Sequence, residues 1–265
     1  MHSPQKNETI ELKNGNIRIL VKKEEAFVYY ATFVAGEYND LQLKPTDLVI
    51  DAGANIGDFT IKAAKIVNKG RVIAIEPNPR NLEILHKNIM LNKLNNVEIL
   101  PRALSNTTGL VSFSGESVSA SIMKGDESSP KVQTVTIDEI MKTFYREGGG
   151  VVLKMDIEGA EELVFTDPAF LEGVREISME LHGEKNIQSI PTILKKHGFQ
   201  IKEFGFSHEL KNTAFFIVKH PLSFINAEHK SNYTAIRGFL NLFRGTNPVP
   251  SVGSNQLKVI YAWRK

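Results

Sequence analysis

Apolar and polar positions follow two rhythms in this chain, and the rhythm changes at about Lys44. Beyond it, short apolar runs take turns with segments of helical period. LVIDAG (Leu48–Gly53), RVIAIEP (Arg71–Pro77) and Val97–Leu100 predict buried strands. Between them, Ile56–Val67 gathers Phe59, Ala63 and Ile66 on one helical face, and Asn78–Asn92 gathers Leu82, Leu85, Ile89 and Met90. Further on, Ile137–Phe144 predicts a helix, Val151–Asp156 a fourth strand and Glu176–Leu181 a fifth. Ile187–His197 predicts a helix that stops at Gly198. Gln200–Phe204 and Thr213–Val218 close the pattern as an antiparallel-looking pair. Ser105–Lys131, rich in serine and glycine, breaks the rhythm and reads as an insertion with a small hairpin near the mouth of any site.

Such alternation implies an α/β fold: a mostly parallel sheet with helices on both faces. Before it, IELKNGNIRILV predicts a hairpin turning at Asn14-Gly15. Glu24–Leu43, with Tyr29, Tyr30, Phe33 and Tyr38, is expected to cap the ligand edge of the sheet. The expected organisation is an N-terminal cap over 1–44, an α/β domain over 45–219 and an extension over 220–265.

Ligands on such sheets sit beyond the carboxyl ends of the strands. The ends to inspect are Asp51–Gly57, Glu76, Leu100–Ser105, Asp156–Glu158 and Glu180–His182, and four of these five carry a carboxylate. The first loop, DAGANIGDFT, joins strand to helix through Gly53, Asn55 and Gly57 and is expected to form a cradle of backbone N–H groups. It has neither a dinucleotide G-x-G-x-x-G nor a GK[ST]. Asp51 and Asp58 would repel a pyrophosphate and suit a cofactor carrying positive charge, such as S-adenosylmethionine. Glu76 stands twenty-five residues after Asp51, where an acid can accept both ribose hydroxyls of an adenosine.

VIDAGANIGDFT, AIEPNP, ALSN and LKMDIEGAE together resemble the FkbM family of S-adenosylmethionine-dependent methyltransferases, over roughly Phe33–Phe204. The run K-x-D-x-E-G-x-E, here Lys154–Glu161, is the most specific part. The resemblance implies a seven-stranded Rossmann-like sheet and methylation of a hydroxyl group. It places the methionine part against Asp51–Gly57, the ribose at Glu76 beside Pro77, the adenine near Ala103 and Leu104, and Asp156 close to the reactive end.

Four carboxylates crowd the run after the fourth strand. Asp156 and Glu158 would project to the same side in extended geometry, and they are the candidates for cofactor contact and for nucleophile positioning or base. Gly159 permits the turn, and Glu162 reads as a solvated helix start. Glu161 gains weight only from its place in the family run. Glu180 and His182 form a second acid/base pair on the substrate side. A hard divalent ion on Asp156, Glu158, Glu180 and His182 is the competing reading, but the resemblance does not require a metal and none is expected.

Composition adds limits. The 265 residues are 42% apolar, enough for one cored domain, and no run of eighteen apolar residues predicts a transmembrane helix. The N-terminus is polar and mixed in charge, unlike a signal peptide. Absence of cysteine excludes disulfides, thiol catalysis and cysteine-based zinc sites, and suits a reducing cytoplasm. A net charge of +2 is no nucleic-acid signal, although Lys219–Lys265 holds seven Lys/Arg against Glu228 alone. Within it, Ile236, Phe239, Leu240 and Phe243 form an amphipathic stripe over Tyr233–Arg244, expected to bury against the domain or a second subunit as a homo-oligomer. The leading expectation is an O-methyltransferase for a small molecule, sugar or glycan. The rivals are an RNA methyltransferase and a non-catalytic S-adenosylmethionine-binding scaffold.

Overall fold

The computed structural model describes residues 9–113, 130–205, 211–215, 218 and 256–264. Strands β1 (Thr9–Asn14) and β2 (Ile17–Lys22) form the expected hairpin, with Gly15 in the left-handed region at φ +56°. A short helix α1 (Phe27–Tyr29) runs directly into a π-helical stretch, Tyr30–Ala35, that ends at Gly36. The alternating pattern follows: β3 (Leu48–Ala52), α2 (Asp58–Ile66), β4 (Arg71–Ile75), α3 (Pro79–Leu91) and β5 (Val97–Leu100). Three short strands come next, β6 (Ala103–Leu104), β7 (Leu110–Ser112) and β8 (Lys131–Val135), and they pair as a small sheet in the order β6-β8-β7. Then come α4 (Ile137–Phe144), β9 (Val151–Met155), α5 (Glu161–Val164), β10 (Val174–His182), α6 (Glu184–Lys196), β11 (Gln200–Phe204) and β12 (Leu257–Trp263).

The main sheet has seven strands in the order β11-β12-β10-β9-β3-β4-β5. Pairings within β10, β9, β3, β4 and β5 are parallel, and β12 runs antiparallel to both β10 and β11. The architecture is therefore the expected α/β one. One strand differs. Thr213–Val218 was expected beside β11, but residues 211–215 are helical. The partner of β11 comes from Leu257–Trp263, inside the segment expected as an extension over 220–265. Its apolar run, LKVIYAW, fits a strand covered on both faces: Ile260 and Ala262 are buried in the core on one side and Val259 in the cluster on the other. The amphipathic stripe of Tyr233–Arg244 lies outside the described residues, as do 114–129 of the insertion.

Strand alternation divides the core between the two faces of the sheet. Leu48, Ile50 and Ala52 of β3 and Val151, Leu153 and Met155 of β9 join α4 and α6 residues on one face. Val49 and Val152 join Phe59, Ala63 and Ala64 of α2 on the other. The same period therefore sends Asp51 and Lys154 to the α2 face, where they are direct cross-strand partners.

Side chains dock the N-terminal hairpin. Asn88 of α3 donates to Leu20 O and accepts from Leu20 N, at 2.9 and 2.7 Å. Asn92 repeats this two-way bond with Arg18 at 2.6 and 3.0 Å. The two amides thus occupy backbone groups along an outer strand that would otherwise be left to pair with another chain. Helix starts are capped as the sequence dictates: Asn78 accepts from Arg80 N ahead of Pro79, and Thr136 accepts from Glu139 N.

Because β12 lies between β10 and β11, removing residues 256–265 should do more than trim a tail. A chain ending at residue 255 is expected to lose cooperative thermal unfolding by circular dichroism. A sharp transition at the wild-type temperature would show that the sheet stands without its last strand.

Candidate functional site at the carboxyl edge of the sheet

The loop after β3 is shaped by close approach. Gly53 has φ +74°, and a Cβ on it would stand 1.7 Å from the carbonyl oxygen of Asp156. Only glycine lets the ends of β3 and β9 meet there. Gly57, at φ +85°, packs tightly on Leu85, since a Cβ would meet its Cδ1 at 2.4 Å. Four N–H groups of the expected cradle are turned inward. Gly53 N and Ala54 N donate to Ile75 O, Gly57 N donates to Ala54 O, and Asn55 N donates to Glu76 Oε2 at 2.8 Å. These donors are committed to the protein, so they do not present the anion nest of a pyrophosphate-binding turn.

Lys154 lies beneath this loop. Its Nζ donates to Gly53 O at 2.7 Å, stands 3.3 Å from Asp51 Oδ1 and sits 5.5 Å from the centre of the Tyr38 ring. Burial opposes its charge, but Asp51, Asp156, Asp58 and Glu180 more than offset that and hold it above the usual lysine range. Asp51 is fully buried and also accepts from Thr60 Oγ1. It therefore supports the loop from below and does not line the cleft.

A cleft of about 270 Å³ opens above. The loop contributes Gly53 and Asn55, and the strand ends contribute Asp156, Glu158, Glu180 and His182. The N-terminal cap closes the other side with Phe27, Ala31, Thr32 and Tyr38. Glu180 and His182 alternate along β10 onto the same face as Lys154. Tyr38 Oη donates to Glu180 Oε1 at 2.9 Å. Burial, with Asp156 and Glu37 nearby, pushes the Glu180 carboxyl well above its usual range. Burial likewise raises Asp58 to about 6, against a stabilising bond from Thr32.

Asp156 and Glu158 both reach the cleft, but not by extension. Strand β9 ends at Met155, and Glu158 adopts φ +55°, rare for a residue with a side chain. His182 Nε2 stands 3.8 Å from Asp156 Oδ1 and 3.9 Å from Glu158 Oε2. On the far side of the ring, Nδ1 is 2.9 Å from Glu161 Oε1. Burial disfavours a charged His182, yet Glu161, Asp156 and Glu158 outweigh it and raise its pKa.

The remaining expected residues are not in the cleft lining, although Glu76 is bonded directly to Asn55, which is. Glu76, at the end of β4, is buried and accepts from Asn55 N and Asn78 N, each at 2.8 Å. Burial lifts it to about 7 despite those bonds. Pro77 beside it is half-buried. Ala103 and Leu104 are buried in β6, and Leu104 packs its side chain in the main core, so a ligand there would meet its backbone.

A family model described as Methyltransferase FkbM domain matches residues 51–201. The chain belongs to this family. Among its relatives, Methyltransferase sdnD of Sordaria araneosa is 26% identical over 231 residues, covering 73% of this chain and 89% of the relative. The tRNA (guanine(37)-N(1))-methyltransferase Trm5b of Methanocaldococcus jannaschii is 36% identical over 103 residues, covering 38% of this chain and 29% of its own length. A solved precorrin-6y C5,15-methyltransferase from Geobacter metallireducens overlays with a TM-score of 0.47 at 13% identity, over 88% of each chain.

This FkbM-family chain is thus an S-adenosylmethionine-dependent methyltransferase. Its cleft fits that cofactor chemically. Asn55 Oδ1 and Asp156 Oδ1 are buried acceptors without a hydrogen-bond partner among the described residues. The lining carboxylates Glu37, Asp58, Asp156, Glu158 and Glu180 face an ammonium, Lys154, already engaged with Asp51 and Gly53. A ligand bearing sulfonium and ammonium charge complements such walls.

Sequence reasoning overlooked Lys154 as a site residue, and also Tyr38 as a neighbour of Glu180. A signal was present for the first: a lysine inside the apolar run VVLKM must be paired if that run is a buried strand. The pair is directly testable. Lys154→Met should cost about 3–5 kcal/mol in urea denaturation, because Asp51 is left buried and unpaired. Adding Asp51→Asn should recover much of that loss. Equal destabilisation of single and double variants would contradict the pairing.

Proposed function

We propose that the chain is an O-methyltransferase acting on a hydroxyl of a small molecule, sugar or glycan. The observation that carries this reading is the convergence of His182 Nε2, Asp156 Oδ1 and Glu158 Oε2 on the cleft beside Gly53 and Asn55. A hydroxyl is a weak nucleophile and gains from a proton acceptor as it reacts. When bound, S-adenosylmethionine would supply an activated methyl group, with S-adenosylhomocysteine, a neutral thioether, as the leaving group. Asp156, Asn55 and Glu76 would hold it. His182 Nε2 takes the hydroxyl proton, Glu158 orients the hydroxyl, and the cap residues Phe27 and Tyr38 exclude water. Two atoms 3.8 Å apart can both be reached by one hydroxyl oxygen at about 2.8 Å from each.

The acidic lining also supports a small acceptor over RNA, whose phosphates it would repel. No helix among the described residues is long and apolar enough to cross a membrane. We place the protein in the cytoplasm, in keeping with its lack of cysteine. The reaction is tested with methyl-labelled cofactor and parallel pools of hydroxylated metabolites, glycans and RNA. Label is expected in an ether of the first or second pool, and label confined to RNA would overturn the assignment.

Two variants separate binding from chemistry. Glu76→Ala should weaken S-adenosylhomocysteine binding by roughly 10- to 100-fold, the worth of charge-assisted hydrogen bonds. For the wild type, affinity should rise with pH through about 7, because only ionised Glu76 offers all its acceptors to the ribose. In Glu76→Gln that slope should vanish. His182→Ala should leave affinity within about threefold and lower kcat by about 10²–10⁴. Asp156, Glu158 and His182 offer atoms within 4.8 Å of one another and could hold an ion. Chelation is nonetheless expected to leave turnover unchanged, and loss restored by magnesium would make His182 a ligand instead of a base.

A further inference from the structure

In the sequence Glu161 gains functional weight only from the family run, and the helix it opens is four residues long. Its side chain is fully buried, which is costly for a carboxylate unless donors surround it. Three donors do so. His182 Nδ1 and Gly159 N meet Oε1 at 2.9 and 3.1 Å, and Asn186 Nδ2 donates to Oε2 at 2.7 Å. Asn186 is itself buried, and its Nδ2 also donates to His182 O at 2.8 Å. The amide of α6 therefore ties the carboxylate to the strand that carries the histidine.

We propose that Glu161 is a positioning residue that holds His182 with its proton on Nδ1 and its Nε2 lone pair aimed at the acceptor hydroxyl. The inference rests on the reading of His182 as proton acceptor. An ionised carboxylate only accepts hydrogen bonds, so the ring nitrogen against it must carry hydrogen. In a neutral imidazole the other nitrogen is then the acceptor. That nitrogen is the one facing Asp156 and Glu158 across the cleft. The acceptor proton goes to Nε2 as the new O–CH3 bond replaces the S–CH3 bond of the sulfonium, whose electron pair stays on sulfur; the Nδ1 proton stays toward Glu161, and the imidazolium later loses the Nε2 proton to water. The titratable groups facing the ring are Asp156 and Glu158 on the cleft side and Glu161 behind it.

A positioning role for Glu161 differs measurably from that of a merely structural carboxylate. Glu161→Gln keeps an acceptor oxygen but removes the charge. It should lower kcat at least tenfold and leave S-adenosylhomocysteine affinity within about twofold. It should also move the alkaline-rising limb of the pH profile to lower pH, because the charge that favours imidazolium is gone. A purely structural role would lower stability without displacing that limb.

The deciding measurement is nitrogen-15 NMR of the His182 ring in the wild-type protein, which needs neither an acceptor nor a variant. Recorded at a pH above the raised pKa of the ring, a neutral ring with hydrogen on Nδ1 alone is expected, shifting to a mixture in Asn186→Ala. A neutral wild-type ring with its hydrogen on Nε2 would overturn the proposal. If the Nδ1 tautomer is found but His182→Ala keeps wild-type turnover, the positioning contact stands and the assignment of His182 as base fails.

Discussion

The Lys154 ammonium joins two parallel strands at the place where both end. It donates to the carbonyl of Gly53 and pairs with Asp51 across the β3–β9 register. The sheet leaves it no choice of direction: the two-residue period that puts Val152 on the α2 face puts Lys154 there as well. A charge so deeply buried is tolerated only with its partner. Together they fix the loop that carries Gly53 and Asn55 against the turn that carries Asp156 and Glu158. Gly53 completes the arrangement, because no Cβ fits beneath the Asp156 carbonyl.

From this joint follows the electrostatic character of the cleft. Its positive charge is spent on Asp51 and Gly53, while Glu37, Asp58, Asp156, Glu158 and Glu180 remain along the walls. Burial first, and the neighbouring carboxylates second, push Glu180 and Asp58 above their usual ranges, which favours their neutral forms. A cationic ligand relieves the repulsion among these acids more directly. Four loop donors are turned inward to Ile75, Ala54 and Glu76, so they are unavailable for the phosphate cradle that such a strand–turn–helix unit forms elsewhere.

Much of the framework was legible because each element carries its own period. Buried parallel strands read as unbroken apolar runs, and α2 and α3 as helical stripes. The seventh strand was not, since strand pairing is a long-range choice and LKVIYAW follows β11 only after some fifty residues. Proximity in sequence favoured Thr213–Val218, whereas the sheet took the later run. Of the site, the clustering of acids at strand ends and the alternation of Glu180 with His182 were both readable. The left-handed turn at Glu158 was not, because a glutamate carries no signal for positive φ. Nor was the contact of Glu161 with His182, which depends on how α5 meets the end of β10.

The central claim is that this strand edge takes an S-adenosyl cofactor and refuses a pyrophosphate. Calorimetric titration of the metal-free protein with S-adenosylhomocysteine, with NAD run in parallel, tests it most directly. Micromolar binding of S-adenosylhomocysteine and none of NAD is expected. Comparable binding of NAD, or no binding of S-adenosylhomocysteine with or without magnesium, would contradict the account.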